Sequence, residues 1–123
     1  MIPKFRAWHK STELMDEVII IDFYNEKIGI LYADPVIQGE SVKIYSFDEV
    51  VLMQSTGLKD KNGEEIFEGD ILKGDDGEFF YNSVVFDKEK AIFMRSDSIE
   101  LWENVEELEV IGNIYENPEL LEG

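Results

Sequence analysis

Met53-Gln-Ser-Thr-Gly-Leu-Lys-Asp-Lys-Asn-Gly-Glu-Glu-Ile-Phe-Glu-Gly-Asp-Ile-Leu-Lys73 carries three glycines, a polar loop and two short apolar runs, and the residues on either side of it read as strands. Asn62-Gly63 is the strongest hairpin-turn signal in the chain, because both residue types tolerate the positive φ of a tight turn. Gly69-Asp70 precedes the apolar pair Ile71-Leu72, as a turn feeding a strand does. The stretch therefore reads as a joint. Residues 1–54 form a β-rich N-terminal part, residues 55–69 a connecting glycine-rich hairpin segment, and residues 70–123 a small C-terminal barrel.

Working outward, Phe5-Arg-Ala-Trp8 reads as a first strand with Phe5 and Trp8 in the core, followed by a polar turn, His9-Lys-Ser-Thr-Glu13. Val18-Ile-Ile-Ile-Asp-Phe-Tyr24 has the β-branched and aromatic composition of a well-buried strand. Asn25-Glu-Lys27 turns the chain into a return strand, Ile28-Gly-Ile-Leu-Tyr32. Asp34-Pro35 breaks the pattern, and Val42-Lys-Ile-Tyr45 alternates as a further strand. Phe47 to Met53 is ambiguous between a helical turn and a strand, and its adjacent valines favour the strand.

Beyond the joint, Asp70-Ile-Leu-Lys73 is a short strand ended by the turn Gly74-Asp-Asp-Gly77. Glu78 to Phe86 is a long strand whose central Asn82-Ser83 suggests a bend or bulge. Ala91-Ile-Phe-Met94 follows the turn Asp87-Lys-Glu-Lys90. Ile99, Trp102 and Val105 recur every three residues, which predicts a helical turn with one buried face. Glu109 to Tyr115 is the last strand, and Asn117-Pro118 opens a terminal helical turn with Asn as cap. The fold class is thus mainly β with some short helix, an N-terminal sheet packed on a C-terminal SH3-like barrel.

Three blocks, Lys4-Phe-Arg-Ala-Trp8, Met53 through Lys73, and Glu109-Val-Ile-Gly-Asn-Ile-Tyr-Glu-Asn-Pro-Glu-Leu-Leu121, together resemble the YopX family, small proteins encoded by phages and prophages of Gram-positive bacteria. The runs Thr56 to Gly63 and Ile111 to Pro118 are long and specific. His9 departs from the family pattern, which has Asp after the Trp. The resemblance implies a β-rich fold with an SH3-like portion and a phage origin, and it carries over no activity.

Composition narrows the function classes. A chain of 123 residues suits one domain or two tightly packed subdomains, and 44% hydrophobic residues exclude a disordered chain. No apolar run approaches the roughly 18 residues of a membrane span, so no membrane contact is expected. Met1-Ile-Pro-Lys-Phe-Arg6 lacks the apolar core of a signal peptide, which makes the bacterial cytoplasm the expected compartment. The absence of cysteine removes disulfides, thiolate metal sites and a Cys nucleophile.

Charge is uneven. The total of −17 is split into −4 over residues 1–50, −2 over 51–74 and −11 over 75–123. An acidic C-terminal half repels phosphate backbones, so no direct nucleic-acid partner is expected. It would attract a basic host or phage protein, although solubility alone accounts for excess acid.

No motif supplies a catalytic, cofactor or metal set. His9 is the single histidine, and a triad needs a geometry that neighbouring Ser11 and Thr12 do not imply, so it reads as a surface turn residue. Lys59-Asp60-Lys61 is the one basic patch and reads as a solvated loop tip. Gly57, Gly63 and Gly69 lack a phosphate-loop Gly-Lys-Ser/Thr and read as turns. Asp75, Asp76 and Glu78, with Glu100, Glu103, Glu106, Glu107 and Glu109, form no calcium loop and read as a solvated acidic face. Trp8 and Trp102 read as core anchors rather than base-stacking platforms.

Three functional readings follow. The first is a non-catalytic protein–protein interaction module, a homo-oligomer without cofactors. The second is an acidic nucleic-acid mimic that inhibits a host DNA-binding protein. The third is an enzyme, disfavoured by the missing motifs.

Overall fold

The computed structural model describes residues 4–97 and 99–122. Residues 4–54 and residues 55–122 form two compact units. Both are built from antiparallel strands, and among the described residues the helical segments are three short 3-10 turns.

In the N-terminal unit, β1 (Phe5–His9), β2 (Leu14–Asp22), β3 (Lys27–Asp34) and β4 (Gly39–Ser46) form a meander, and the first half of β5 (Val50–Lys59) pairs on the other side of β1. Three departures from expectation shape this sheet. First, β2 begins and ends earlier than the apolar run suggests, so Phe23 and Tyr24 fall in an exposed turn. Asp22 closes that turn by accepting the Asn25 backbone N–H at 3.0 Å and its side-chain amide at 2.8 Å. Second, the β2–β3 register shifts between Val18 and Ile20, so Ile19 is a bulge residue. Third, a 3-10 turn at Phe47–Glu49 precedes β5, where the sequence favoured continuous strand. The core gathers on one sheet face: Ala7, Ile28, Ile30 and Val50, with Val18, Ile21, Tyr45, Phe47 and Leu52 against them.

In the C-terminal unit, the second half of β5 pairs with β6 (Glu65–Phe67). A four-stranded sheet follows, in the order β10 (Glu109–Asn113), β7 (Asp70–Asp75), β8 (Phe79–Asp87), β9 (Ile92–Arg95). The mainly β class stands, but the sheets are open rather than closed into an SH3-like barrel. The core here is Ile66, Leu72, Val84, Leu101 and Leu108.

Gly74 lies inside β7 rather than in a turn, and the Phe80 ring of the paired strand occupies the space that a side chain on it would need. Asn82 and Ser83 keep regular register with β7, so no bulge forms at them. The spacing of Ile99, Trp102 and Val105 marks the wrong face. Leu101 and Leu108 are the buried residues, and Trp102 is 51% exposed. Pro118–Leu121 forms the terminal 3-10 turn, but the Asn117 side chain does not cap it. Its Oδ1 instead accepts the Asn113 N–H at 3.2 Å.

Candidate interaction surface

The sequence-predicted polar residues are largely consumed by turns. Asp60 is buried, at 6% exposure, in the loop between β5 and β6. Its Oδ1 accepts the N–H groups of Asn62 at 2.8 Å and Glu64 at 2.9 Å, and its Oδ2 accepts that of Val110 at 2.9 Å. Burial pushes this carboxyl up, and the three N–H donors outweigh burial and hold it below its ordinary value of 3.8. Lys59 and Lys61 stay exposed on either side. Lys61 and Lys73 line a hollow of about 130 Å³, but Asp75, Glu107 and Glu109 line it too, so no net positive field awaits a phosphate.

Gly63 and Gly69 have positive φ in turns, as the sequence suggests, whereas Gly57, also at positive φ, lies inside β5, where the register with β6 shifts between Ser55 and Lys59. Asp75 and Asp76 accept the N–H groups of Gly77 and Glu78 within their own turn. Among the described residues, no three His, Asp or Glu side chains converge to hold a metal ion.

His9 is not the surface residue that its polar neighbours suggest. It ends β1 at 7% exposure, with its ring 4.1 Å from that of Tyr45. Its Nδ1 accepts the Thr12 N–H at 3.2 Å and lies 2.6 Å from Thr12 Oγ1, while Nε2 is 3.9 Å from Glu49 Oε2. Histidine, hydroxyl and carboxylate thus meet, and Ser11 is not among them. Because Nδ1 accepts a backbone N–H, the ring acts as a turn cap. Asp22 and Asp87, each in its own turn, serve the same role with carboxylates.

Sequence reasoning missed a buried cation. Arg95, in β9, places its guanidinium 4.7 Å from the centre of the Phe80 ring and bonds Asp97. Asp97 also accepts from Asn82 at 3.2 Å, and Asn82 accepts from Ser96 at 2.8 Å. No sequence spacing signals this network, since its members lie on two strands and a loop.

Two apolar surfaces remain uncovered. In the N-terminal unit, β4 pairs with β3 over eight consecutive residues, from Lys27↔Ser46 to Asp34↔Gly39. Ile20 of β2 and Ile44 of β4 both pair with Gly29, on the sheet face opposite the core. A Cβ on Gly29 would lie 2.9 Å from the Ile20 Cβ, so the glycine makes a floor over which Ile20 leans. Ile20 is 46% exposed and Ile44 57%, and Val42 shares their face. In the C-terminal unit, a groove of about 290 Å³ runs between Leu58, Ile92, Phe93 and the exposed Trp102.

The YopX protein family profile matches residues 4–122. This chain belongs to the YopX family. Protein EF1440 from Enterococcus faecalis, known from a crystal structure, is similar at 35% identity and a TM-score of 0.70, with 99% of each chain covered. No curated protein matches. In this YopX family member, the runs Thr56 to Gly63 and Ile111 to Pro118 each lead from a strand into a turn. Asp60 and Gly63 shape the central loop. Asn113 accepts the N–H groups of Tyr115 and Glu116, at 3.0 and 2.9 Å, in the last.

Proposed function

We propose that this YopX family member is a non-catalytic interaction module, a phage or prophage accessory protein that works in the cytoplasm as a homo-oligomer. The observation that carries the reading is the exposed apolar face of Ile20, Val42 and Ile44 beside β4, whose outer edge no other strand pairs with among the described residues. Isolated exposed hydrophobics need no explanation, but contiguous ones rimmed by polar residues mark contact surfaces. Polar side chains such as Asp60, His9 and Asn113 are committed to backbone groups, which leaves them no free part in chemistry. Light scattering on the full chain at physiological salt tests the assembly. A mass above that of one chain is expected, and a strictly monomeric mass overturns it.

The charge of the C-terminal unit favours a second reading. Residues 55–123 carry six Lys/Arg against 19 Asp/Glu, a net of −13. A basic host or phage protein would be steered to that unit, as a DNA-binding protein is to DNA. Affinity purification from a lysogenic host at low salt should recover such a protein. Recovery of none sinks this second reading and leaves the first intact.

A further inference from the structure

We propose that β4 is a homotypic edge, at which two copies of this chain join by antiparallel pairing of Gly39–Ser46 about a two-fold axis through Val42. The inference rests on the homo-oligomer reading and names its surface. β4 ends the strand order, and among the described residues only β3 pairs with it. Its ladder to β3 is unbroken over the whole strand, so the outer edge is regular. Sheet edges are normally guarded by proline, bulges or several charges. β4 has no proline, no bulge and only one lysine, Lys43, against one glutamate, Glu40. A row of backbone donors and acceptors at this spacing is met by another β-strand.

Symmetry and charge select which strand and which register. Two identical antiparallel strands are related by an axis normal to the sheet, so each residue opposes one on its own face. The sums of paired residue numbers are then even. Two such registers engage nearly all of β4: one with Val42 on the axis, the other with Lys43.

The Lys43 register sets two ammonium groups against each other and is disfavoured. The Val42 register sets Val42 on Val42 of the second copy, Lys43 on its Ser41 and Glu40 on its Ile44. No like charges face one another, although the chain as a whole carries −17. A second copy therefore approaches where the local charge cancels. Val42 also meets Ile44 of the other copy diagonally, and the Ile20–Gly29–Ile44 trough runs on across the axis.

The test uses the full chain. Wild type is compared by light scattering with Val42→Lys/Ile44→Lys, and with Val42→Thr/Ile44→Thr, which keeps β-branched side chains. Both positions are exposed, so melting should hold while the mass drops at least twofold for the lysine pair. Because the protein has no cysteine, Val42→Cys should cross-link to a covalent dimer on mild oxidation, and Ser46→Cys should not. Wild type that assembles, with both variant sets keeping its mass, overturns the β4 interface and leaves the oligomer reading standing. A monomeric wild type overturns both. Cross-linking through Ser46→Cys in preference to Val42→Cys overturns the register.

Discussion

Asp60 holds three backbone N–H groups from a site almost closed to water, and each bond to an ionised acceptor contributes about 1.5–3 kcal/mol. Asp60→Ala should therefore lower unfolding free energy by about 2–4 kcal/mol in urea melts, with the three donors left unpaired. Its folded-state value lies below the ordinary 3.8, so its contribution is complete above that pH and is lost as pH falls through the folded value. Wild type should lose stability through that acid range more steeply than Asp60→Asn does. Equal slopes would remove Asp60 from the acid response. His9 is the parallel case with a ring nitrogen as acceptor. His9→Leu strands the Thr12 N–H and should cost about 1–2 kcal/mol, whereas His9→Asn keeps an acceptor and should cost less.

At the scale of elements, two glycines fail for different reasons, and the difference is measurable. Gly63 has φ of +81° with nothing near its missing side chain, so only backbone strain opposes substitution. Gly63→Val should destabilise by at least about 1 kcal/mol, and unchanged thermal melting would show that the turn does not need its glycine. Gly74 has no such strain but is covered by the Phe80 ring. Gly74→Ala should cost more than Gly63→Val, and Phe80→Leu in the same chain should recover part of the loss. These elements also show what the sequence made legible. Asn62-Gly63 and Gly69-Asp70 announced their turns because turn chemistry is local. Gly74 looked like a turn because the ring that requires it belongs to the opposing strand. Leu101 was overlooked for Trp102 because residue size hints at burial only where the backbone faces inward. His9 looked exposed because its neighbours are polar, while Tyr45, which covers it, lies on a distant strand.

For the whole molecule, like charge is the long-range force. At −17, self-repulsion opposes the compact state, and salt screens it. Raising sodium chloride from about 10 mM to about 150 mM shortens the screening length from roughly 30 Å to roughly 8 Å. Stability should rise by about 1 kcal/mol, seen as a melting point a few degrees higher. A flat response would mean that the acids are already locally compensated. The β-rich class was legible because strand composition and turn spacing repeat along the entire chain. Barrel closure was not, since it depends on pairing between the first and last strands of a sheet rather than on any one segment.

The central loop also bears on the order in which the chain assembles. The Lys61 N–H reaches the Leu108 carbonyl at 2.9 Å, and Val110 reaches back to Asp60, so partners made early wait for partners made late. A nascent chain stopped short of Leu108 holds a buried-type carboxylate with one donor missing and its hairpin unmoored. Such a fragment should remain protease-sensitive on the ribosome, and resistance should appear abruptly once the final strand has emerged.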